Sequence, residues 1–98
     1  MTEYRYQLSE TAAKKLEHEI AYSRKKWGAK HAAQYRRELL AVVRKISQSP
    51  TLFAERPEIG PGIRCVRFKG NYIVYQLNEN EDGIIVLNFP SVNQSSKI

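Results

Sequence analysis

The cations of one short segment are the residues best placed to do chemistry. Arg64, Arg67 and Lys69 fall within Ile63-Arg64-Cys65-Val66-Arg67-Phe68-Lys69, and Arg56 stands shortly before them. If this segment is a strand, Arg67 and Lys69 share a face with Cys65, and Arg64 shares the opposite face with Val66 and Phe68. Guanidinium groups fixed on a sheet can hold phosphates or carboxylates bidentately. The same charges would equally serve to keep an exposed strand from pairing with other chains. Other reactive patterns are weak. His18 and His31 are 13 positions apart, lie off the apolar stripes and form no HExxH pair. Cys65 has no histidine near it in sequence to activate it, and as the single cysteine it excludes an internal disulfide and a cysteine-built zinc site. Glu79, Glu81 and Asp82 cluster in a turn rather than converging on a pocket, as general acid–base work requires. Gly60-Pro61-Gly62 places a proline where a phosphate loop needs N–H donors. No metal and no small-molecule cofactor are expected.

The elements that must position these residues fit one domain, residues 1–98. No apolar run is long enough to span a membrane, and the N-terminus lacks the layout of a secretory signal, so a cytoplasmic protein is expected. The chain carries 16 Lys/Arg against 10 Asp/Glu, a net charge of +6. Ten of those cations and four of the acids lie in residues 9–48, so the whole excess belongs to that half. Such a charge favours anionic partners, whether nucleic acid or an acidic protein, although a solvated helical face explains it as well.

Tyr4 to Leu8 alternates apolar and polar residues, the period of a half-buried strand. Ser9 then suits a helix N-cap and Glu10 the positive end of the helix dipole. Ala13, Leu16, Ile20, Ser23 and Trp27 share one helical face, and Gly28 is read as a left-handed cap. Ala32, Tyr35, Leu39, Val42 and Ile46 repeat the spacing until Ser49-Pro50, which predicts an antiparallel helical hairpin over 9–48 with about two connecting residues. Residues 50–62 hold three prolines and two glycines and read as a loop, with room for a short helical turn at Thr51–Phe53. Strands follow at 63–68, 72–77 and 84–89, forming a meander over 63–89, and residues 90–98 read as a loose polar tail. Ile84-Ile85-Val86-Leu87 does not alternate, which predicts a central strand covered on both faces. The order strand-helix-helix-strand-strand-strand gives an α+β domain with a small antiparallel sheet packed against the hairpin.

The residues also resemble a known family, the ParE branch of the RelE/ParE toxins of bacterial toxin–antitoxin modules. The resemblance runs from about Tyr4 to Leu87. It rests on Leu8-Ser9 with Ala12-Ala13, on Tyr22 and Trp27-Gly28, on Ala33 and Tyr35, on Ser49-Pro50, on Ile59-x-x-Gly62-Ile63-Arg64, and on Gly70-x-Tyr72-Ile73-Val74-Tyr75-Gln76. It implies a toxin that acts on DNA gyrase, blocks replication, arrests growth and stabilises plasmids. It also implies a cognate antitoxin that folds on binding, with the helical hairpin and an exposed sheet edge as docking surfaces. The RelE-like relatives are ribosome-dependent endoribonucleases that cut mRNA, and Arg67 matches a sheet arginine that they use. After the last strand, however, this chain reads Leu87-Asn88-Phe89-Pro90-Ser91-Val92-Asn93, without the Arg, His or Tyr those enzymes place there. Tyr72 is a candidate substitute and a poor one, since a phenol is a weak proton acceptor near neutral pH.

A gyrase-binding toxin is therefore expected ahead of a nuclease, with a degenerate non-toxic homologue as a further alternative and nucleic-acid binding through the basic helical face as the last. Candidate target-binding residues are Arg64, Arg67, Lys69 and Phe89. For the nuclease alternative, with ribosome and mRNA as partners, they are Arg64, Arg67, Lys69 and Tyr72. Candidate antitoxin-facing residues are Trp27, Tyr35, Arg36, Leu39 and Val43.

Overall fold

The computed structural model describes residues 5–92. Its elements run β1 (Tyr6–Leu8), α1 (Glu10–Trp27), α2 (Ala29–Gln48), β2 (Arg64–Phe68), β3 (Asn71–Leu77) and β4 (Ile84–Asn88). Tyr4, expected in the first strand, lies outside the described residues.

Ser9 starts α1 as its sequence suggests. Its hydroxyl accepts from the Ala12 N–H and donates to the Leu87 carbonyl, while its own N–H donates to Val86 O. One residue thus caps the helix and ties it to the sheet. Gly28 alone separates the helices. Its φ of 99° is positive, but its ψ of 164° is extended, so it is not the left-handed cap expected. Its N–H closes α1 on the Arg24 carbonyl and its carbonyl opens α2 by accepting from Ala32.

The sheet order is β1-β4-β3-β2. β2–β3 and β3–β4 are antiparallel, but β1 runs parallel to β4, with Tyr6, Gln7 and Leu8 opposite Ile84, Ile85 and Val86. The sheet is therefore mixed, not wholly antiparallel. The helical hairpin and the whole meander separate β1 from its partner, and no local turn dictates their direction. Gly83 permits this pairing. A Cβ there would lie 2.0 Å from the Arg5 carbonyl oxygen, which accepts from the Ile84 N–H.

The helices cover one face of the sheet. Leu16, Ile20, Leu39, Val43, Ile46, Ile73, Tyr75, Ile84, Val86 and Phe89 make the core between them. β4 is an interior strand, as its apolar run implied, yet only Ile84 and Val86 are buried. Ile85 and Leu87 sit half-exposed on the other face, which no helix covers among the described residues. The start of the tail is tied down rather than loose: Tyr72 N–H donates to the Pro90 carbonyl and Val92 N–H to the Gly70 carbonyl. Residues 93–98 of that expected tail lie outside the described residues. Thr51–Phe53 forms turns and bends, not a helical turn.

Candidate functional surfaces

The fold does not gather Arg64, Arg67 and Lys69 into one site. Alternation along β2 places Val66 and Phe68 on the helix side, packed against the core, and Cys65 and Arg67 on the open face. Arg64 lies with the former pair. Its side chain keeps 11% exposure, donates through Nη1 to the Phe53 carbonyl and approaches Glu55 at 3.6 Å. It therefore fastens the proline-rich 50–62 segment to the sheet, where Glu55 bridges to Arg64 and Arg56 N–H donates to the Ile63 carbonyl. Lys69 is not in a strand. It sits in the two-residue β2–β3 turn with φ 51°, and its Nζ pairs with Glu38 of α2. That pairing and a hydrogen bond from Gln34 hold the Glu38 carboxyl below its ordinary range.

Arg67 remains exposed on the open face, with Nε donating to the Lys69 carbonyl at 3.3 Å. Tyr72 is its cross-strand partner and is half-buried. Arg56, which bears on Tyr72 and Cys65 electrostatically and forms an ion pair with Glu58, completes the charged part of this face. Burial pushes the Cys65 thiol up, against the pull of Arg56, so this cysteine stays protonated near neutral pH and is no activated nucleophile. Among the described residues no three His, Cys, Asp or Glu side chains converge to hold a metal ion.

Three of the proposed contact residues are withdrawn from the surface. Phe89 is 1% exposed, Leu39 1% and Val43 0%. They seal the hairpin onto the sheet, so a partner cannot reach them. Phe89 turns inward just past β4 because its carbonyl accepts from Asn71 Nδ2. Tyr35 is half-buried: its hydroxyl donates to Asn71 Oδ1 at 2.5 Å and its ring meets Phe68. Burial, with a smaller contribution from the Glu19 charge, pushes the Tyr35 phenol up to about 12. Asn71 is thus the hub joining α2, the β2–β3 turn and the segment after β4. The sequence marks it only as a turn residue. Arg36 is exposed and pairs with Glu17 across the hairpin at 2.9 Å. Trp27, placed on the buried stripe by its spacing, is 59% exposed, since α1 ends at that residue and runs past the sheet that would cover it.

The outer edge of β1 has no neighbour among the described residues, while that of β2 is bridged only at its start, by Glu55 to Arg64 and by the Arg56 N–H to the Ile63 carbonyl. Beside β1 lies an open polar cleft of about 530 Å³ lined by Arg5, Gln7, Asn78, Glu79, Asp82 and Ile85, among others.

This arrangement, a helical hairpin on one face of a four-stranded mixed sheet whose other face carries Arg67, defines a small α+β domain. A solved chain from the chromosomal ParDE TA system of P. aeruginosa shares the fold, with a TM-score of 0.75 at 18% identity, covering 89% of this chain and 94% of that one. The sequence matches the family described as ParE toxin of type II toxin–antitoxin system, parDE, over residues 6–94. The chain belongs to the ParE toxin family. No curated protein matches it. Among the described residues no helix is long and apolar enough to cross a membrane.

Proposed function

We propose that this chain is the toxin of a type II module, acts in the cytoplasm by binding and inhibiting DNA gyrase, and is neutralised by a cognate antitoxin. The family match over residues 6–94 carries this reading. The chemistry of the open face supports it. Cleavage of RNA by its own 2′-hydroxyl needs a proton acceptor, a donor to the leaving oxygen and cations on the phosphate. Arg67 and Arg56 can supply the cations, but residues 88–98 contain no His, Arg or Tyr to carry the proton. An exposed guanidinium flanked by a tyrosine is instead a good anchor for a protein surface. The antitoxin is read as adding a strand to the free edge of β1, with the adjoining polar cleft taking its side chains. On the hairpin, Arg36 is the exposed residue kept as an antitoxin-facing candidate.

Supercoiling of relaxed plasmid by purified gyrase tests the reading. Inhibition at micromolar protein, weakened about tenfold or more in Arg67→Ala as expected for an anchor residue, supports it. Undiminished supercoiling with no cleavage complexes overturns it. The pairing of Arg67 with Tyr72 across the strands favours one second reading, a ribosome-dependent nuclease. Primer extension on translated mRNA decides that case: codon-linked cuts that vanish in Arg67→Ala support it, and intact message eliminates it.

A further inference from the structure

Residues 20–37, the C-terminal part of α1, the Gly28 elbow and the start of α2, contain six Lys/Arg and no acid. That number equals the net charge of the entire chain. All six are exposed. Arg36 pairs with Glu17, and Lys26 lies over the Tyr22 and Trp27 rings at 5.6 and 5.1 Å. Arg24, Lys25 and Lys30 form no ion pair with a carboxylate among the described residues, and Arg37 bears only electrostatically on the neighbouring Glu38. A solvated face normally intersperses both signs, and this elbow does not.

Aromatic surface coincides with this charge. Tyr22 and Trp27 are two of the three large apolar side chains left exposed among the described residues, and Trp27 meets the His31 ring at 5.7 Å. They border a shallow depression of about 240 Å³ that runs from the elbow to the β2–β3 turn, lined by Glu19, Tyr22, Trp27, His31, Lys69 and Asn71, among others; the Glu19 carboxylate there is neutralised by its ion pair with Lys15. Rings beside unpaired cations are the two components with which proteins hold a single nucleic-acid strand: phosphates on the cations and unstacked bases on the rings. An acidic polypeptide would satisfy the charges without making use of the exposed Trp27 ring.

We propose that the elbow around Trp27 docks single-stranded DNA, with a base stacked on Trp27 in the depression and the flanking phosphates on Lys25, Lys26 and Lys30. Only the choice of DNA over RNA rests on the gyrase reading, since gyrase handles DNA.

Trp27 is the chain's single tryptophan, so its own fluorescence reports stacking. The full chain is titrated with oligothymidine of about 12 nucleotides, within the usual range of single-strand site sizes. Quenching is expected, with affinity falling between about 50 and 200 mM salt at a log–log slope of about −2, near −0.7 for each of three phosphates. Exchanging Lys25 and Lys30 together for Glu should weaken binding about tenfold or more through the same electrostatic dependence. Trp27→Ala, followed by anisotropy of a labelled oligomer, should weaken it about 5- to 150-fold. Lys14→Ala, on the exposed flank of α1, should leave it unchanged.

Four results would each overturn the proposal: no quenching, a slope near zero, equally tight binding of a duplex of the same sequence, or displacement by polyglutamate at matched charge as effective as by unlabelled oligomer. The last would reassign the elbow to an acidic protein. Tighter binding of oligouridine than of oligothymidine would overturn the choice of DNA. Gyrase is absent from the titration, so its failure leaves the supercoiling test of the toxin reading untouched.

Discussion

Replacing Tyr35 by Phe should produce a stability loss at neutral pH that shrinks or reverses in alkali. The Tyr35 hydroxyl donates to Asn71 Oδ1, and Asn71 is 5% exposed. Phe keeps the ring against Phe68 but leaves that buried oxygen without its donor, which costs about 1–3 kcal/mol. In alkali the native protein loses part of the same advantage. The phenol's folded pKa of about 12 lies above its ordinary value of 10.0. The folded state therefore holds its proton where the unfolded chain has released it. The associated stability is fully present below pH 10 and is lost as pH rises through 12. A two-unit shift corresponds to at most about 2.7 kcal/mol, and discounting for the part of the ring that water reaches leaves about 1–2 kcal/mol. Phe cannot ionise, so Tyr35→Phe escapes this loss. Urea denaturation of both proteins, followed by far-UV circular dichroism at pH 7 and pH 11, measures it. Comparing the two proteins at each pH isolates the contribution of position 35. A gap between the two proteins that stays constant from pH 7 to pH 11 would refute the argument, and with it the view that Tyr35 is a structural tie rather than a contact residue.

Other changes separate structural from contact roles. Phe89→Ala should cost about 3–5 kcal/mol in denaturant unfolding, because it empties the core site just past β4, whereas a surface contact residue would cost almost nothing. Arg64→Ala should lower stability by about 1–3 kcal/mol, since the Phe53 carbonyl loses its charged donor and the 50–62 segment its fastening; limited proteolysis should then cut first within that segment. Arg67→Ala, on the exposed open face, should change stability by no more than about 0.5 kcal/mol while weakening gyrase inhibition. In Gly83→Ala the new Cβ would fall 2.0 Å from backbone at Arg5, so β1 must detach from β4. Faster hydrogen exchange at the Ile84 and Ser9 amides would show it.

Much of the protein follows from local chemistry. The spacing of Leu16, Ile20, Leu39 and Ile46 fixes two helices and their inner faces. Ser9 fixes where α1 starts, and Pro50 stops α2 just beyond its end. The unbroken apolar run of β4 marks it as an interior strand. Each of these depends on residues near in sequence. The family resemblance is legible for the same reason, since short motifs in order carry it. What the sequence could not decide depends on neighbours distant in the chain. The parallel pairing of β1 with β4 joins strands separated by the whole of the rest of the fold, and no turn sets its direction. Periodicity placed Tyr35, Leu39 and Trp27 on apolar stripes, but whether a stripe position is covered depends on where the sheet ends. Leu39 lies over the sheet and is buried, Tyr35 sits at its margin, and Trp27 extends past it into water. Strand alternation put Arg64 and Arg67 on opposite faces, yet only the packed 50–62 segment turned Arg64 into a fastener, and only the β2–β3 turn gave Lys69 to Glu38. The charge of +6 is a property of composition. Its concentration in the contiguous residues 20–37 is a property of the sequence, but the exposure of Tyr22 and Trp27 beside it is decided by the fold, which leaves both rings uncovered.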